Sequence, residues 1–253
     1  MDLTTEGVIS KVPAVTLGFW AIKILATTLG ETAGDTLSMT YDLGYLVSSA
    51  IFIVPLALLV AAQIKAWGFH PALYWATIIA STTAGTTIAD YATRSLGIGY
   101  LGGSLLLLTL VLASLLVWYR TLGTVSVERV VSPRAEAFYW TTITFSQTLG
   151  TALGDWAADD GGFGYLGGAL LFGTGLLALV ALFKFTSVSR VWLFWAAFIL
   201  TRPLGATVGD FLDKPLAKGG LDFSRPIASL VLLAAIIALI WLMQRRARRN
   251  TAP

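Results

Sequence analysis

The 253-residue chain contains no cysteine, one histidine and three methionines. Without cysteine there is no disulfide framework and no thiolate metal site. With so little sulfur and imidazole, a soft metal is poorly supplied with ligands. Charge is scarce as well. Only 12% of residues are charged and 56% are hydrophobic, whereas a soluble domain carries about 25% charged residues. The mean hydropathy of +0.77 excludes an ordinary soluble domain and identifies an integral membrane protein. Enzyme signatures are missing too: there is no Ser-His pair, no HExxH and no phosphate-binding Walker loop. No cofactor is required, no nucleic-acid partner is indicated, and catalytic residues are none. His70 stands alone before Pro71 and reads as a solvated loop histidine. The opening "MDLTTEGVISKVP" has neither the basic leader nor the cleavage site of a signal peptide. The first apolar segment is therefore expected to stay in the membrane.

What the chain does have is repetition. Four segments align without a gap on Trp20, Trp75, Trp140 and Trp195. In the same register follow Thr28, Thr83, Thr148 and Pro203, then Gly30, Gly85, Gly150 and Gly205, then Asp35, Asp90, Asp155 and Asp210. The second and third repeats continue as "GYLGGSLLL" and "GYLGGALLF", a glycine pattern explained by close packing at a helix start. Each repeat holds two apolar spans, here termed helix A, which ends at the Asp, and helix B. Each is near the roughly 20 residues needed to cross hydrocarbon. The expected fold is all-α: eight transmembrane helices from four parallel two-helix repeats over residues 13–66, 67–122, 133–186 and 187–245, with the A helices central. The Trp residues near the repeat starts read as interfacial anchors.

Lys and Arg set the orientation. They concentrate at the termini and between repeats, for example Lys11, Lys65, Arg120, Arg129, Arg134, Lys184, Arg190 and the tail "QRRARR". Fewer lie in the A–B connectors, namely Arg94, Lys214, Lys218 and Arg225, which also carry Asp42, Asp159, Asp160, Asp213 and Asp222. Both termini are thus expected on the cytoplasmic side of an inner membrane, with the Asp ends facing outward. The basic tail fixes topology at the membrane surface.

The fourfold pattern of small polar residues, Gly and Gly-Asp resembles a bacterial family of integral membrane proteins built from a repeat of unknown function. It covers the chain from about Trp20 to the last helix. Repeat four departs most, with Arg202 and Pro203 in place of small or polar residues and a longer connector. The resemblance implies a repeated two-helix membrane fold and brings no activity, so function has to come from the residues.

On a helical wheel, residues four apart share a face. Helix A then carries the stripes Lys23–Thr27–Glu31–Asp35, Ile78–Thr82–Thr86–Asp90, Ile143–Gln147–Thr151–Asp155 and Phe198–Arg202–Ala206–Asp210. Ionisable groups cost roughly 2.5–3.5 kcal/mol each at a membrane centre, so the stripes should face one another or water. A neighbouring face carries Gly30/Gly34, Gly150/Gly154, Gly205/Gly209 and the near match Gly85/Ala89, spacings that allow close backbone approach. The expected site is an acidic outer vestibule. It would be a hard-cation site of Glu31, Asp35, Asp90, Asp155, Asp210, Thr86 and Thr151, the four Asp being the ligands if the ion is a metal. Lys23 and Arg202 read as counter-charges or gates, with Arg202 in reach of Glu31. They argue against an open channel and for a gated or proton-coupled carrier of a proton, alkali ion, Mg²⁺, Mn²⁺ or Ca²⁺. Two readings compete with this: a carrier of a small organic or anionic solute using Lys23 and Arg202, and a membrane scaffold that transports nothing. In the scaffold each Asp only ends helix A and N-caps the next segment. The expected partners are the bilayer and a small ion or solute.

Overall fold

The structure, a computed structural model, describes residues 10–250, with side chains through Arg245. The leader reading at residues 1–9 and the side chains of the tail beyond Arg245 lie outside the described residues. The described part is all-helical, with eight long helices: α1 Leu17–Asp35, α2 Gly44–Lys65, α3 Pro71–Asp90, α4 Tyr100–Leu122, α5 Pro133–Asp155, α6 Gly164–Phe185, α7 Arg190–Asp213 and α8 Arg225–Asn250.

The helix starts follow from local chemistry. Thr16 accepts a hydrogen bond from the Phe19 N–H and caps α1, and Ser132 does the same for Ala135 in α5. Pro71 and Pro133 occupy first-turn positions, where a missing N–H costs nothing. Gly123 ends α4 in the left-handed conformation at φ 72°.

Five helices, α2, α4, α6, α7 and α8, are long and apolar enough to cross a membrane. Helices α1, α3 and α5 fall outside that group because they carry the Thr, Gln and charged stripes. Most of their hydroxyls are satisfied within the helix itself: Thr28 donates to the Ile24 carbonyl, Thr83 to Ile79 and Thr148 to Thr144. A threonine-rich helix can therefore be buried with few outside partners. In repeat four the equivalent residue is Pro203, inside α7, which has neither hydroxyl nor N–H.

The odd-numbered helices form a closed ring, with α1 against α3, α3 against α5, α5 against α7 and α7 against α1. Each even-numbered helix packs chiefly on the next repeat's ring helix. Thus α2 lies on α3, α4 on α5 and α6 on α7, and α8 returns to α1. The outer helices expose apolar side chains such as Val54, Leu58, Leu105, Leu112, Leu170, Leu177 and Leu230, a surface compatible with a multi-pass membrane protein.

The glycines set the ring spacing. Gly34 faces Thr86 of α3, Gly85 faces the Gln147–Thr148 backbone of α5, Gly154 faces Ala206 of α7, and Gly209 faces Glu31 of α1. Gly30 meets Thr82, Gly150 meets Arg202 and Gly205 meets Thr27. A Cβ at Gly85 would stand 2.9 Å from the Thr148 nitrogen, closer than side-chain carbons come to backbone. The small-residue face of every ring helix thus seats its successor.

At the end of the ring opposite the Asp residues lies an aromatic floor. Trp75, Trp140 and Trp195 are buried there with Phe19, Tyr74, Tyr139 and Phe198. Tyr74 and Tyr139 share a hydroxyl–hydroxyl hydrogen bond of 2.6 Å, and the Trp195 N–H donates to the Val125 carbonyl at 2.9 Å. The interfacial-anchor reading is corrected for these three tryptophans. They are buried against neighbouring helices and connectors, Trp195 against Trp118 and Trp140 against Tyr74, and Trp20 alone of the four is only partly buried.

Candidate functional site

Each of the first three ring helices ends at its Asp and passes into one wide π-helical turn: Thr36–Thr40, Tyr91–Ser95 and Trp156–Asp160. The carboxylates of Asp35, Asp90 and Asp155 make no capping hydrogen bond to these turns. Asp210 lies within α7, which runs on to Asp213. The cap reading is thereby corrected: helical backbone continues through the Asp, so no free N-terminus is presented to it. Such π-turns frequently occur at functional sites.

All four Asp carboxylates are buried, at 1–2% exposure. They do not line an open vestibule. The structure gathers them in two pairs, each bridged by a cation four residues beyond an Asp. Arg94 reaches Asp90 at 3.1 Å and Asp155 at 3.0 Å. Lys214 reaches Asp35 at 2.6 Å and Asp210 at 2.9 Å. Arg225 adds a more distant contact to Asp35 at 3.8 Å and one to Asp213 at 3.4 Å. Arg94 also donates to the Tyr45 hydroxyl. Burial works against both bridging charges, and the facing carboxylates outweigh it. The pKa of Lys214 is raised well above its ordinary value by Asp210, Asp35 and Asp213, and that of Arg94 is raised by Asp90 and Asp155.

These two bridging residues were missed as site residues by the sequence reading, which counted them only toward topology. The signal was present. Four residues past each Asp stand Met39, Arg94, Asp159 and Lys214, so repeats two and four carry a cation where repeats one and three do not. That alternation makes the ring twofold in charge although it is fourfold in helices.

One turn deeper, Glu31 and Arg202 meet at 2.9 Å, both buried. The same Arg202 nitrogen donates to the hydroxyls of Thr86, at 2.7 Å, and Thr151. Those hydroxyls also lie 3.4 and 3.3 Å from the Glu31 carboxylate. Residues from all four ring helices therefore converge on one ion pair. The reach of Arg202 to Glu31 is as the wheel suggested. Lys23 lies deeper still and is fully buried. Its ammonium contacts the Gln147 carbonyl oxygen at 3.3 Å and the face of Phe198 at 4.1 Å.

Of the proposed cation ligands, Glu31, Asp35 and Asp210 present oxygens within 4.8 Å of one another. Asp90 and Asp155 belong to the separate Arg94 bridge, and Thr86 and Thr151 to the Glu31–Arg202 pair. His70 is exposed, with its Nδ1 3.0 Å from the Gly68 carbonyl oxygen.

A family profile described as "Repeat of Unknown Function (DUF347)" matches residues 18–67, 73–124, 138–189 and 193–249. No curated protein and no solved structure matches the chain.

Proposed function

The chain belongs to the DUF347 repeat family, which spans it in four copies, and from that premise we propose a multi-pass carrier of a hard cation. In this reading all eight helices cross a bacterial inner membrane, both termini are cytoplasmic and the Asp end of the ring faces outward. The substrate is a proton, an alkali ion or a small divalent ion. It binds among Glu31, Asp35 and Asp210, where three buried carboxylates from two adjacent ring helices stand within 4.8 Å. Hard cations take oxygen ligands of this kind.

The observation that carries the reading is the position of Lys214. It fills the mouth of this carboxylate group, yet it arises from the segment just beyond α7 and not from a ring helix. A tethered cation of this kind is a competitor that an entering ion displaces. When Lys214 swings out, the carboxylates require another positive charge, because like charges at this range cannot all stay ionised. The ion or protons supply it. When the ion leaves, Lys214 returns between Asp35 and Asp210 and offsets part of their charge. The fixed Glu31–Arg202 pair and the aromatic floor block free flow, as a carrier requires.

One observation favours the scaffold reading. Each of the four Asp carboxylates already contacts a side-chain cation, so none is left without a positive neighbour when no ion is bound. Flux into proteoliposomes separates the two. The carrier takes up Na⁺, Mg²⁺, Mn²⁺, Ca²⁺ or protons down an imposed gradient, and Asp35→Asn with Asp210→Asn, combined with Lys214→Met so that no buried charge is stranded, abolishes uptake while the protein stays folded. A wild type that moves none of these ions, and whose melting temperature responds to none of them, leaves the scaffold.

A further inference from the structure

The ring interior below the Asp layer holds two basic side chains, Lys23 and Arg202, and one acid, Glu31. Glu31 is matched by Arg202. Lys23 is then left over: it is fully buried, and no carboxylate lies within ion-pairing distance of it among the described residues. Its contacts are the Gln147 carbonyl oxygen and the Phe198 ring. Arg202, also basic, repels it. The helices facing Lys23 offer no acid at this level. Helix α3 presents Ile78 and Thr82, α5 presents Ile143 and Gln147, and α7 presents Phe198 and Arg202.

The surrounding polar groups lack the same thing. The Gln147 amide nitrogen has no hydrogen-bond partner, nor do two nitrogens of the Arg202 guanidinium, Nε and the second terminal one. Both side chains are fully buried. The unfilled positions on Gln147 and Arg202 are donors, and the ammonium has more protons than it has acceptors. A buried charge left without a partner costs several kcal/mol, and an unpaired buried donor adds about 1–3 kcal/mol.

We propose that Lys23 and the free amide of Gln147, with the unshared face of the Arg202 guanidinium, hold a small monovalent inorganic anion of chloride or bromide size inside the ring. The anion accepts the orphaned N–H groups and balances the surplus charge. This site shares Arg202 with the Glu31 pair but does not depend on the carrier reading. A bulky organic anion is excluded by the packing of α1 against α7, where Gly205 sits directly on Thr27.

The test is thermal unfolding of the full purified chain in detergent, in choline salts of chloride, bromide and gluconate at matched ionic strength and pH. Chloride and bromide should raise the melting temperature saturably relative to gluconate. Lys23→Met should abolish that response. Gln147→Glu supplies a carboxylate where the anion would sit. It should be more stable than wild type in gluconate, and indifferent to chloride. A wild type equally stable in all three salts overturns the proposal, as does a Gln147→Glu protein that gains no stability in gluconate and still responds to chloride. An anion response without any cation response supports this site and counts only against the carrier.

Discussion

Arg94 and Lys214 hold the buried carboxylates, and their removal should show it. Breaking a buried ion pair by deleting one partner typically costs about 3–5 kcal/mol, because the other charge is left behind. Arg94→Met should therefore lower the unfolding temperature sharply. Adding Asp90→Asn and Asp155→Asn should recover most of the loss, since the stranded charges are then gone. Lys214→Met should behave likewise with Asp35→Asn and Asp210→Asn. Recovery in neither triple variant would mean that the cations stabilise by packing alone. The alkaline limb gives a second reading. With its folded pKa raised above the ordinary 10.5, Lys214 contributes stability that is complete below about pH 10 and fades as pH climbs through the folded value. Lys214→Met should flatten that decline, measured as melting temperature against pH. The four Asp residues and Glu31 were legible in the sequence because acids stand out in apolar, repeated segments. Arg94 and Lys214 were not, because a connector cation reads as topology until the π-turn folds it back over the preceding Asp.

Among the helices, the glycine face decides assembly. Gly150 and Gly205 each meet a side chain of the neighbouring ring helix, so Leu at either position should prevent a monodisperse, folded protein from being recovered. Gly173 of α6 has open space around it, and Gly173→Leu is the matched control that should fold. Size-exclusion profiles of the three variants check this. The glycine register could be read from spacing alone, since small residues four apart have few other uses in a membrane helix. The tryptophans misled for a related reason. A residue near a helix end is taken for an interfacial anchor, but the same position on a ring helix is covered by its neighbours, and only those neighbours determine which applies. Which outer helix covers which ring helix was also out of reach, because apolarity all round gives no direction.

At the scale of the whole molecule, the eight-span reading predicts that reporters fused at Asp159 and at the C-terminus fall on opposite sides of the membrane. A common side for both would sink it. The helix order adds a consequence for how the protein is made. Helix α1 receives its outer cover from α8, and Glu31 receives its counter-charge from Arg202, encoded 171 residues later. In the eight-span reading, α1 enters the bilayer with Lys23 and Glu31 as the chain emerges and must wait for the last two helices. Biogenesis is therefore a matter of holding an unfinished polar helix until its clasp arrives. A chain truncated before Arg225 should be cleared by quality-control proteases instead of accumulating as a smaller functional unit. A circular permutant that starts at α5, with α8 joined to α1 by a short linker, shortens that wait and should insert at least as well as the natural order.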